Sequence, residues 1–211
     1  YQDYQLEVTN PGGHSSRPRK DNAIYRLTAA LGQISNYSFP IEFSDTTRTY
    51  FRRLSGLKTG QVAEDMLAIL QSPPDPDALS RMTDIPSYNA ILHTTCIATL
   101  FDAGHAPNAL PQRARANVNC RIFPGHTQEE VRQTLEQIVN DSAVAITLAD
   151  PPESTSPPPP LTREILEPIE RVTEQMWLGI PVLSSMSAGG TDGRFLTPAG
   201  IPTYGVSGIF Y

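Results

Sequence analysis

Tyr4, Leu6 and Val8 alternate with polar residues until Asn10-Pro11-Gly12-Gly13 breaks the run, the period of a half-buried strand ending in a turn. Behind it, Ile24, Leu27, Leu31 and Ile34 recur at helical spacing, with Asp21 placed to cap the helix they predict. Phe39–Phe43 reads as a second short strand. Thr59 to Met82 reads as a helical insertion broken by Pro73-Pro74-Asp75-Pro76, within a wider insertion near 44–89. Ile91–Phe101 and Arg113–Phe123 are rich in β-branched and alternating residues and predict a hairpin around the loop DAGHAPNALPQ. Thr127 and Glu130 form a capping-box pattern before Val131, Leu135, Ile138 and Val139, and Val144–Leu148 supplies a closing strand.

This order predicts an α+β fold close to a ferredoxin-like sandwich, an antiparallel sheet with helices on one face, over residues 1–150. Six of the 20 prolines fall in Pro151–Pro160, which reads as an extended linker. Beyond it, Ile165, Ile169, Val172 and Met176 predict an amphipathic helix kinked by Pro168. Val182–Met186, the GGTDGRF turn, a short helix and Thr203–Val206 then spell strand, helix, strand. Residues 161–211 thus read as part of an α/β layer, too short to close a core alone.

Composition narrows the function classes. The 211 residues carry a net charge of −6 and no run of Lys or Arg, which argues against nucleic acid as a partner. No apolar stretch approaches bilayer length, so no membrane span is expected. Cys96 and Cys120 sit on the two arms of the hairpin, where they can be near one another, but both lie in alternating strand patterns in which a buried free thiol is usual. The four histidines, His14, His93, His105 and His126, show no metal-ligand spacing. The chain begins at Tyr1 rather than Met and stops in the apolar run GVSGIFY, so it reads as cut at both ends, and its compartment is left unknown.

Three motifs can carry chemistry. In Gly12-Gly13-His14-Ser15-Ser16 the glycines end a strand and bring His14 to a sheet edge, where an imidazole can donate to a developing oxyanion; a plain surface turn gives the same pattern. Asn108, in a proline-stiffened loop, and Arg121, thirteen positions on, can together hold a carboxylate, although Asn and Pro are also ordinary turn residues. Ala188 to Phe195 is a Gly-rich turn between strand and helix that can attract an anion, or in which Asp192 simply caps the helix.

Taken in order, GGHSSRP with DNAIYRL, GHAPNALP, NCRIFPG, and GGTDGRF with IPTYGVSG resemble the dinuclear zinc peptidase and deacylase family of succinyl-diaminopimelate desuccinylase, acetylornithine deacetylase, aminoacylase and carnosinase. The likeness is greatest to its carboxypeptidase S-like branch. The resemblance implies a lid and dimerisation domain over 1–150 and a returning piece of the catalytic domain over 161–211. It implies that His14 reaches across a homodimer to polarise the scissile carbonyl. Asn108 and Arg121 would hold the substrate's free carboxylate, with Gly190 and Thr191 closing over the same end. The substrate would be a peptide or an N-acyl amino acid. The family's two zinc ions would be held by residues before Tyr1 and after Tyr211, so this chain by itself is expected to be inactive. The alternative from another class is a non-catalytic dimerising or small-molecule-binding α+β module.

Overall fold

The computed structural model describes residues 1–151 and 158–207, in two compact units: Tyr1–Pro40 with His93–Glu153, and Ile41–Leu92 with Ser154–Tyr211. Most of the expected proline linker lies outside the described residues.

In the first unit, β1 (Gln2–Thr9), β3 (Thr95–Ala103), β5 (Arg113–Arg121) and β6 (Val144–Leu148) form one sheet in the order β3-β5-β1-β6, every pair antiparallel. With α1 (Ala23–Ser35) after β1 and α6 (Gln128–Val139) before β6, this is the ferredoxin-like order expected from the sequence. Period-two alternation sends Tyr4, Leu6, Val8, Ala114, Ala116, Val118 and Cys120 to the helical face. There they pack on Leu27, Ala30 and Ile34 of α1 and Val131, Leu135 and Val139 of α6. The opposite face is a polar ladder: Asn117 and Asn119 both donate to Asp3, at 2.8 and 2.9 Å, and Arg115 pairs with Glu7.

The capping box of α6 forms in full. Thr127 Oγ1 accepts from the Glu130 N–H (3.2 Å), and the Glu130 carboxylate accepts from the Thr127 N–H (2.7 Å), which lowers the Glu130 pKa. The buried Tyr4 hydroxyl donates to the Gln128 carbonyl at 2.7 Å, and burial pushes its phenol above the ordinary tyrosine range. For α1 the cap is Asn22, not Asp21. Its side chain accepts from the Ile24 and Tyr25 N–H groups, whereas the Asp21 carboxylate turns to Arg26 at 3.3 Å.

The expected strand at Phe39–Phe43 does not form. Pro40 has no N–H to give a ladder, and the Glu42 N–H donates to the single carbonyl of Leu92. The cysteines are corrected as well. They stand opposite each other in the β3–β5 register and are joined in a disulfide, where free thiols were expected.

The second unit holds α2 (Asp45–Ser55), α3 (Gln61–Ala68), α4 (Pro76–Thr83) and α5 (Pro86–Asn89) around Phe51, Leu54, Met66, Ile69, Met82 and Leu92. The expected insertion is helical, and α2 lies outside the Thr59–Met82 stretch whose periodicity was legible. Asp65 is buried against Arg81, which donates to it twice, at 2.8 and 2.6 Å, while Gln61 donates at 3.0 Å; chiefly the Arg81 bond holds its carboxyl below the usual range. The same unit contains α7 (Arg163–Met176), with Pro168 inside it, and the short α8 (Gly193–Leu196). Val182–Met186 and Thr203–Val206 were expected as strands but run as irregular chain. A strand exists through its ladder, and no ladder engages either segment among the described residues.

Candidate functional site

Two of the sequence motifs are joined by a ladder only two residues long. β2 (Gly13–His14) pairs antiparallel with β4 (Ala109–Leu110), setting Gly13 opposite Leu110 and His14 opposite Ala109. The Ser15 N–H then donates to the Asn108 carbonyl at 2.9 Å, which holds Asn108 beside His14. Gly12 is required for this crossing. It has φ +75°, and a Cβ there would lie 2.7 Å from Gln112 Cγ and 3.3 Å from the Leu110 oxygen.

The His14 ring is oriented by the turn that follows it. The Ser16 backbone N–H donates to Nδ1 at 3.1 Å, and Ser16 Oγ lies 2.8 Å from the same nitrogen. A backbone N–H can only donate, so Nδ1 is the acceptor in this contact. The Asn108 amide nitrogen, itself a donor, lies 3.5 Å from Nε2, at the far limit of a hydrogen bond, so Nε2 is exposed without a close internal partner. The result is an exposed imidazole at a sheet edge with a second polar group beside it, the kind of group that can stabilise a carbonyl oxygen as it gains charge.

Arg121 is the last residue of β5, opposite Thr95 and directly after the disulfide-bonded Cys120. Its guanidinium lies 4.9 Å from the centroid of the Tyr1 ring, a cation–π arrangement that restricts it without consuming its donors. Sequence reasoning missed Tyr1, since nothing in the pattern of an isolated aromatic announces such a partner. Gly190 and Thr191 belong to the second unit, in the turn before α8. There the Thr191 Oγ1 accepts from the Gly193 N–H at 3.3 Å. Asp192 occupies the N-cap position of α8, but its side chain makes no capping bond.

Among the described residues no three of His, Cys, Asp and Glu stand close enough together to hold a metal ion. The zinc ions that the resemblance implies find no such group among the described residues. No described helix is long and apolar enough to cross a membrane.

Comparison with known proteins places the fold. The family model M20_dimer, the peptidase dimerisation domain, matches residues 1–147. The human N-fatty-acyl-amino acid synthase/hydrolase PM20D1 is 34% identical over 200 residues, covering 91% of this chain and 38% of that protein. The probable carboxypeptidase S-like 2 of Dictyostelium discoideum is 29% identical over 147 residues, 68% of this chain and 27% of its own length. Among solved structures, the M20 family metallo-carboxypeptidase Sso-CP2 from Sulfolobus solfataricus aligns over 95% of this chain and 48% of its own, with a TM-score of 0.57 at 16% identity. The di-peptidase Dug1p from Saccharomyces cerevisiae aligns over 95% and 46%, with a TM-score of 0.58 at 9% identity. At such identities the structural likeness speaks for the fold alone. The chain spans well under half the length of the curated relatives it matches.

Proposed function

The chain belongs to the M20 peptidase family through its dimerisation domain, and from that premise we propose that it is the substrate-gripping and dimer-forming part of a hydrolase acting on the amide bond of a peptide or N-acyl amino acid with a free carboxylate. The observation that carries this reading is the β2–β4 ladder, which sets an exposed His14 beside Asn108 with its ring held by the Ser16 N–H.

In this reading His14 donates to the carbonyl oxygen of a substrate bound in the neighbouring subunit and stabilises the oxyanion as the carbonyl is attacked. Asn108, expected to share a carboxylate with Arg121, lies instead past the opposite end of β5, beside His14, and in this reading supports the group that His14 addresses. Arg121, restrained over Tyr1, forms charge-assisted bonds to the free carboxylate. The steps assigned to this chain are binding, orientation and hydrogen-bond donation. The attacking nucleophile and any metal are assigned in this reading to other residues of the whole enzyme.

The dimer uses β3. It is an edge strand of the main sheet and carries Ile97, Leu100 and Phe101 outward, 64, 70 and 49% exposed. An apolar strand with unpaired backbone is a template for pairing with a second copy.

The carboxylate assignment is tested in the enzyme that carries this segment, by comparing N-acyl amino acids with their C-terminal amides. Losing a charge-assisted contact costs about 1.5–3 kcal/mol. Arg121→Ala therefore lowers kcat/KM for the free acids by roughly 10- to 150-fold and leaves the amides nearly unchanged. Equal losses on both remove Arg121 from the clamp.

A further inference from the structure

We infer that the loop after His14 forms a second anion site, separate from Arg121, which binds another carboxylate or phosphate group on the substrate that His14 addresses. This rests on the reading of His14 given above. An open pocket of about 540 Å³ is lined by Gly12, Gly13, His14, Ser16, Arg17 and Arg19, with no acidic side chain in its wall. Arg17, Arg19 and Lys20 stand within four positions in a chain whose net charge is −6, so the basic character is local. Asp21, the nearest acid along the sequence, is turned to Arg26 at 3.3 Å. Among the described residues no ion pair engages Arg17 or Arg19.

Two unpaired guanidiniums on one wall are suited to an oxyanion, since the planar fork donates in pairs to carboxylate or phosphate oxygens. The loop is also held in shape. The Arg17 N–H donates to the His14 carbonyl at 2.9 Å, closing a turn, and Pro18 fixes the backbone between the two arginines. Because His14 lines the same pocket, an anionic group seated there is part of the molecule whose carbonyl lies near Nε2. The substrate class is accordingly one that carries a negative group close to the carbonyl His14 addresses.

The test is a titration of this chain with inorganic phosphate and, in parallel, with succinate, followed by NMR of the His14 ring and the arginine Nε–H signals. Saturable shifts at His14, Arg17 and Arg19 are expected with at least one probe, and the tighter of the two identifies the preferred oxyanion. Affinity falls at least about tenfold in Arg17→Gln/Arg19→Gln and is unchanged in Arg121→Ala. Both arginines are exposed loop residues, and an unaltered amide spectrum for β1, β5 and α6 verifies that the double variant is folded. Absence of saturation with both probes overturns the site, and so does wild-type affinity in the double variant. This readout needs no catalysis, so a failed carboxylate test at Arg121 and a failed anion site are told apart.

Discussion

The disulfide between Cys96 and Cys120 offers the sharpest stability prediction, because its worth follows from chain length. The bond closes a loop between residues 24 positions apart. In the chain-entropy account, a loop of that size restricts the unfolded state enough to stabilise the fold by about 3.5 kcal/mol at 25 °C. Replacing both partners, Cys96→Ala/Cys120→Ala, avoids leaving a lone thiol in the core, where Cys120 is fully buried. The small void it leaves adds to the loss. The first-unit sheet of the double variant should therefore be destabilised by roughly 3–4 kcal/mol relative to the oxidised wild type. Urea unfolding, read at the amides of β1 and β5 by hydrogen exchange, measures this directly. The strand affected also carries Arg121, so Arg121 amide protection falls with it. A loss below about 1 kcal/mol would refute the entropic argument. Thiol titration of unreduced protein should find no free thiol, and two reactive thiols would refute the bond itself.

Further outcomes follow from the packing. Tyr4→Phe removes the buried bond to the Gln128 carbonyl and should cost about 1–2 kcal/mol in urea unfolding; in ultraviolet pH titration the wild-type Tyr4 phenol should ionise above the ordinary tyrosine value of 10.0. Asp65 has a carboxyl held below its ordinary value of 3.8, so its contribution is fully present above that value and is lost as pH falls through the lower folded value. The helices of the second unit should accordingly weaken in acid, and Asp65→Asn should flatten that dependence; an unchanged pH profile in the variant would count against it. Ile97→Lys/Leu100→Lys, on the exposed edge of β3, should convert a dimer of this chain to monomer in light scattering, with the circular dichroism unaltered.

The sequence revealed elements wherever one residue pattern had one physical reading. Tyr4, Leu6 and Val8 could only alternate against a core, and Thr127 with Glu130 forms a capping box that the structure closes at both bonds. Asp21 and Asn22 were indistinguishable as caps, because the choice rests on Arg26 drawing Asp21 away. Phe39–Phe43 had strand composition but no ladder to join, and the same holds for Val182–Met186 and Thr203–Val206. The disulfide depended on register: alternation places a cysteine on each strand but does not say that Cys96 faces Cys120. At the candidate site, His14 and Asn108 were visible as motifs, whereas the ladder that joins them is too short to leave a periodic trace. The orientation of the His14 ring was not legible at all, since it is held by the backbone N–H of Ser16.

The central claim is that His14 acts from one subunit on a substrate held in the other. Mixed dimers of the enzyme carrying this segment test it most directly, pairing a His14→Ala subunit with one disabled elsewhere in its own catalytic domain. Each parent dimer is inactive, but the mixture joins an intact catalytic domain to an intact His14 across the interface. About one working site per mixed dimer is expected, with its pH profile unchanged. Mixed dimers that form but remain as inactive as the parents would contradict the account.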